Sequence, residues 1–140
     1  MLLGALAVGA STACGPTGEA TTRIGAAEAE VEAVVDELIE VLELEVTDEQ
    51  AFGARTPCDL PTAGEGASNT MSLRGPLPEV DDPLGRVSAV LDRDGYELVD
   101  GELEEGVFGR RDGIFITVAL DAPTDQLLLD ASTGCRPVEG

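Results

Sequence analysis

The sequence predicts a two-layer α+β sandwich, with an antiparallel β-meander from Tyr96 to Ala131 and two helices on one of its faces. Two observations carry this expectation. Asp112-Gly113 separates Val107–Arg111 from Ile114–Leu120, and Asp-Gly supplies the positive φ angles of a two-residue type I′ hairpin turn. Upstream, two segments carry apolar residues at helical spacing, so the helices precede most of the strands.

The hairpin fixes a register. Arg111 pairs with Ile114, Gly109 with Ile116 and Val107 with Val118, which places Val107, Ile114, Ile116, Val118 and Leu120 on one face, taken as the core side. A second turn at Ala122–Asp125 returns the chain as Gln126–Ala131, and Ser132-Thr133-Gly134 then leads to Cys135. The first meander strand is expected at Tyr96–Val99, with Glu102–Glu105 as an exposed connection.

The first helix is predicted from Ile24 to about Val46, with Ile24, Val31, Val35, Leu38, Leu42 and Leu44 as its apolar positions and Thr21 or Thr22 as N-cap. Between them lie Glu28, Glu30, Glu32, Asp36, Glu37, Glu40, Glu43 and Glu45. This acid run is read as a solvated face, the alternative being a surface that collects cations or a basic partner. Acids at the C-terminal end oppose the helix dipole, so packing must hold the helix. Thr47-Asp48-Glu49-Gln50 has capping-box spacing and predicts one further short turn. Arg55 to Gly66 reads as a surface loop pinned at Cys58, and Ala67–Leu73 as one short strand that joins the sheet. Asp81 or Asp82 caps a second helix from Pro83 to about Arg93, with Leu84, Val87, Val90 and Leu91 buried and Asp94-Gly95 as the left-handed stop.

With 140 residues, the chain has room for one small domain, expected over 23–140. Twenty-eight acidic residues face eight arginines, with no lysine and no histidine, for a net charge of −20. A field of that sign repels nucleic-acid phosphates and anionic lipid headgroups, so no nucleic-acid partner is expected and membrane attachment requires a lipid. Without histidine or lysine there is no Ser-His-Asp set and no phosphate loop ending in Lys-Ser/Thr. No catalytic residue, metal ligand or cofactor is assigned. Asp92-Arg93-Asp94-Gly95 fails the calcium-loop pattern, whose first and twelfth positions would be Val90 and Gly101. Arg110 and Arg111, the adjacent basic pair at the hairpin tip, are read as partners of neighbouring acids; a small anion site is the sharper alternative.

Residues 1–13 carry no charge and are too few for a bilayer of about 30 Å, but fit the apolar region of a signal peptide. Ser11-Thr12-Ala13-Cys14-Gly15 resembles the lipobox of bacterial lipoproteins, with Ser11 where that motif usually has Leu, Val or Ile. The resemblance implies a diacylglyceryl anchor on Cys14, with 14–22 as a flexible tether. Because the anchor claims Cys14, Cys58 and Cys135 are expected to form a disulfide, which implies an oxidising compartment.

Thr56-Pro57-Cys58, the helix ending at Asp94-Gly95-Tyr96, the meander and the terminal Ser132-Thr133-Gly134-Cys135-Arg136 together resemble the small lipoproteins of high-GC Gram-positive, actinobacterial species, a group with no established activity. That resemblance implies an extracytoplasmic α+β domain on the outer face of the cytoplasmic membrane. The expected role is a non-enzymatic binding or envelope-interaction module, using an apolar groove between helices and sheet or the acidic face, toward an envelope protein or a small apolar ligand. The alternatives are an envelope hydrolase working through paired carboxylates and an acidic protein that binds divalent cations.

Overall fold

The computed structural model describes residues 22–60, 64–99 and 105–138. Cys14, the apolar N-terminal run, most of the expected tether and most of the Glu102–Glu105 connection lie outside the described residues. Helices α1 (Ile24–Leu42) and α2 (Pro83–Arg93) pack beside nine strands: β1 (Asp48–Gln50), β2 (Thr56–Leu60), β3 (Gly64–Ser68), β4 (Thr70–Pro76), β5 (Glu97–Leu98), β6 (Gly106–Arg111), β7 (Ile114–Asp121), β8 (Gln126–Ser132) and β9 (Arg136–Pro137). The six-stranded sheet has the order β1-β4-β8-β7-β6-β5, and a smaller sheet has the order β2-β3-β9; every pairing is antiparallel. This is the expected α+β sandwich, with the meander forming four strands of the larger sheet.

The hairpin register is the expected one, and Asp112 and Gly113 have φ of 49° and 82°, as a type I′ turn requires. Ile114, Ile116 and Val118 of β7, Leu127, Leu129 and Ala131 of β8, and Met71 and Leu73 of β4 form one apolar face. Both helices bury their stripes against it: Val31, Val35, Leu38 and Leu42 from α1, Val87, Val90 and Leu91 from α2. Asp82 caps α2, its carboxylate accepting from the Gly85 N–H at 3.2 Å.

Several boundaries differ from the expected ones, each for a physical reason. Helix α1 stops at Leu42, not near Val46: Glu43 turns into the left-handed region (φ 50°) and the Leu44 N–H reaches back to the Ile39 carbonyl. A continued helix would turn Leu44 away from the core face that Leu38 and Leu42 share, whereas the break buries it. Its N-cap is Arg23, with no side-chain capping bond, while the Thr22 hydroxyl donates to Asp112 instead. Thr47 starts no helical turn. Its N–H and hydroxyl both donate to the Arg74 carbonyl, and Asp48–Gln50 becomes the edge strand β1.

The expected loop from Arg55 to Gly66 holds β2 and the start of β3. Pro57 is tolerated because β2 is an edge strand, and Gly64-Glu65-Gly66 is strand through its pairing with β2, with β9 joining at Gly66: a Cβ on Gly66 would lie 2.8 Å from the Arg136 carbonyl oxygen and 3.0 Å from Cys135 Sγ. The expected Ala67–Leu73 strand is split at Asn69, where the chain passes from the small sheet to the large one. The returning chain crosses at the same corner. Asn69 N–H donates to Thr133 Oγ1 and Thr133 N–H to the Asn69 carbonyl, each at 3.0 Å. Past that corner the register steps by one residue, from Thr70↔Ser132 to Ala67↔Arg136, and Gly134 (φ 71°) absorbs the extra residue.

Cys58 in β2 and Cys135 before β9 form the expected disulfide, with Cα atoms 6.1 Å apart. It closes a loop with a sequence separation of 77. Chain entropy assigns such a loop about 4 to 5 kcal/mol. Reduction, or the double substitution Cys58→Ser with Cys135→Ser, is expected to lower the melting temperature by on the order of 15 °C, and by more in low salt where the like charges are unscreened. Calorimetry of the oxidised and reduced chains measures this; equal midpoints would show that the small sheet holds without the bond. Glu43→Gly should act oppositely, adding about 0.5 to 1 kcal/mol in urea denaturation, because glycine adopts the left-handed C-cap without a steric penalty.

Candidate functional site

One face of the large sheet is packed under the helices and the other meets solvent. On the open face, strand registers place side chains in rows. Thr70, Ser132, Phe115, Arg110 and Glu97 form one row; Gln50, Ser72, Asp130, Thr117 and Phe108 form the next; Asp48, Arg74, Leu128 and Ala119 form a third. Antiparallel sheets commonly solvate one face, and the hydroxyls here suit that. The phenylalanines do not. Phe115 is 38% exposed, and its ring stacks on Phe108 with centroids 5.7 Å apart.

Beside Phe115 the open face deepens into a groove of about 530 Å³, bordered by Gln50 and Ala51 at the edge strand, Ser72 and Thr117 in the sheet, and Asp130. Its rim is the segment after β1, held by a polar cluster. The Asn69 amide donates to the Gly53 carbonyl at 3.0 Å and to Glu28 of α1 at 2.8 Å, and Arg55 grips both oxygens of Glu28 at 2.8 and 3.0 Å. The Arg55 bonds, foremost, and then the Asn69 amide hold the Glu28 carboxyl below its ordinary value of 4.5 against the opposing effect of burial. Asn69 is buried, so the rim is anchored to the same corner that joins the two sheets.

Two smaller clefts adjoin the edge. One of about 150 Å³ lies on the open face between Asp48, Ser72, Arg74 and Asp130. The other, about 240 Å³, lies between α1 and the sheet, with Val35, Ile39 and Met71 beneath Glu32, Asp36 and Glu49. The cleft between α1 and the sheet is thus as acidic as it is apolar, and the 530 Å³ groove is on the opposite face. Among the described residues no group of three or more Asp, Glu or Cys side chains converges to hold a metal ion. Asp94-Gly95 serves as the stop of α2, with Tyr96 N–H donating to the Leu91 carbonyl.

Arg110 and Arg111 alternate across β6 and point to opposite faces. Arg110 pairs with Glu97 at 3.0 Å on the open face. Arg111 pairs with Glu30 of α1 at 2.8 Å, donates to the Asp94 carbonyl at 2.5 Å and lies 5.5 Å over the Tyr96 ring. The two guanidiniums do not converge. Burial, and then the Glu30 charge, push the Tyr96 hydroxyl up to about 12, so it stays protonated at neutral pH. Phe115, Asp130 and Gln50 were not singled out from sequence. For Phe115 the signal was in β7, where it alternates with Ile114 and Ile116 and must face away from the core.

The Glu28 cluster has a pH signature. Its folded pKa is lowered, so its stabilisation is present above the unfolded value and is lost as pH falls through the folded one. Glu28→Gln is expected to destabilise by about 1 kcal/mol at neutral pH, a modest figure because Arg55 is partly solvated, and to match the wild type at pH values well below 4. Urea denaturation across pH 2 to 7 measures the closing gap; a constant gap would assign the cost to packing. Comparison with protein-family models, with curated proteins and with solved structures gives no match to this chain.

Proposed function

We propose that the protein is a membrane-anchored extracytoplasmic lipoprotein that acts as a non-enzymatic binding module, with the grooved end of the open sheet face as its binding surface. The observation that carries the reading is the stacked Phe108–Phe115 pair on a solvated, hydroxyl-bearing face beside a 530 Å³ groove. Aromatic rings on this hydroxyl-bearing sheet face lie outside the core beneath, and large rings at an open concave surface are the usual anchors of binding.

A binding role is favoured over carboxylate hydrolysis by the acids themselves. Asp48 and Asp130 share the small cleft of the open face, and both are exposed, whereas an acid-base pair needs two distinct environments to hold one proton on and one off. The Cys58–Cys135 disulfide is compatible with an oxidising compartment. Among the described residues no helix is long and apolar enough to cross a membrane, and attachment in this reading comes through Cys14. Two acyl chains of a diacylglyceryl group anchor stably where one does not. The net charge of −20 then holds the domain off anionic headgroups and leaves the sheet face accessible.

The full chain produced in a bacterial host is expected to partition into detergent, and Cys14→Ala into the aqueous phase. A wild-type chain found in the aqueous phase with a free thiol at Cys14 would overturn the anchor. For the binding face, a photo-crosslinker in place of Thr117 should give a discrete adduct in intact cells that Phe115→Ala abolishes, whereas one in place of the exposed Ala89 on α2 should not.

A further inference from the structure

We infer that the edge of the large sheet at β1 is a docking site for an extended basic segment of a protein partner, which would pair with β1 as an added strand. This deepens the binding-module reading by naming the class of partner and the mode of contact.

Among the described residues β1 is the terminal strand of the six-stranded sheet, hydrogen-bonded to β4 on one side only, and all three of its residues are exposed. Three clefts border it: on the open face, the 530 Å³ groove at Gln50 and the 150 Å³ cleft at Asp48; on the helix face, the 240 Å³ cleft at Glu49. An extended peptide sends successive side chains to opposite faces of a sheet. A strand added beside β1 would therefore place alternate side chains into the helix-side cleft and over the open-face clefts, while its main chain satisfies the free edge. Sheet-edge addition uses this division of labour, with backbone bonds giving affinity and alternate pockets giving specificity.

In the helix-side cleft, Glu32, Asp36 and Glu49 stand over Val35, Ile39 and Met71, which suits a Lys or Arg whose methylenes lie on the apolar floor and whose charge meets a carboxylate. Among the described residues these three acids have no ion-pair partner, because the arginines pair elsewhere: Arg55 with Glu28, Arg93 with Glu37, Arg111 with Glu30, Arg110 with Glu97, Arg74 with Asp48 and Arg136 with Asp112. Arg23 and Arg86 are bound to backbone carbonyls. The chain has no lysine or histidine to supply another cation. The cation that complements this edge must come from another molecule. Two copies of the chain are excluded as partners by the same charges, since acidic edges facing each other repel. The field of the whole protein would steer a basic segment inward, at a rate that falls with salt.

The probe is a capped Lys-Val-Lys-Val-Lys-Val peptide, titrated into the full chain by calorimetry or fluorescence anisotropy at two salt concentrations. A second peptide of the same sequence with every backbone amide N-methylated keeps the charge and removes strand pairing. The expected result is saturable one-to-one binding of the first peptide and at least tenfold weaker binding of the second. Glu32→Gln with Asp36→Asn and Glu49→Gln, all exposed and expected to leave the fold intact, should weaken the first peptide at least tenfold. Equal binding of the two peptides would reduce the edge to a diffuse acidic surface and overturn the proposal, as would no binding at all. Binding that survives the triple substitution but is lost in Phe115→Ala would place the site on the open face, leaving the module reading intact and the edge disproved. Peptide-dependent dimerisation in light scattering would show pairing between copies and would also overturn it.

Discussion

Arg136 is the constraint around which the described chain closes. Its side chain has no solvent exposure, and arginine does not lose its proton in proteins, so its charge must be met by protein groups alone. Nε donates to the Thr133 carbonyl at 2.8 Å, Nη1 to the Asp112 carboxylate at 3.3 Å, and Nη2 to the Asp112 carbonyl. One guanidinium thus ties the segment after β8 to the tip of the β6–β7 hairpin. Its backbone meanwhile pairs with Ala67 in the small sheet, and its neighbour Cys135 is bonded to β2. Gly134 completes the junction: a Cβ there would come within 2.3 Å of the Gly113 carbonyl oxygen, so the turn and the C-terminal crossing fit together only at a glycine.

The same economy governs the other arginines. Three of them clamp α1 to three different parts of the fold: Arg55 in the rim segment to Glu28, Arg111 in the hairpin to Glu30, and Arg93 in α2 to Glu37. Each is partly exposed and individually weak. Together they fix the rotation of a helix whose acids would otherwise only repel. The acids left over, Glu32, Asp36, Glu40, Glu43 and Glu45, face solvent, and the break at Glu43 with Leu44 buried behind it shows apolar packing overriding an unfavourable charge at the helix end. Solubility and the edge surface both draw on this unbalanced set.

The parts of the fold legible in sequence are those whose cause is local. Asp112-Gly113 requires φ values that nearly dictate its hairpin, Asp82-Pro83 announces a helix, and alternation in Ile114–Leu120 names the buried face. The parts that were not legible depend on distant partners. Gly64-Glu65-Gly66 has little strand propensity and is a strand because β2 pairs along it and β9 joins at Gly66. Thr47–Gln50 has the spacing of a helix cap, but the free edge of β4 recruits it instead. Asn69 looks like any turn residue until Thr133 is brought opposite. The grooved face was half legible. Phe115 could be placed outside the core by parity, but nothing local showed that the segment after β1 would rise beside it and make a groove.

The position of Arg136 and Cys135 along the chain has a consequence for how the protein is made. Threaded in order from a ribosome or through a membrane pore, α1 emerges first and has no apolar partner until β4, α2 and the meander follow. β4 must then wait for β8, some sixty residues behind it, before its central pairing forms. Until residue 136 is free, the hairpin tip lacks its cation and β3 lacks its second neighbour. The central pairing of the large sheet therefore closes only after most of the chain has emerged, whereas the β6–β7 hairpin and the β2–β3 pair join neighbours close in sequence.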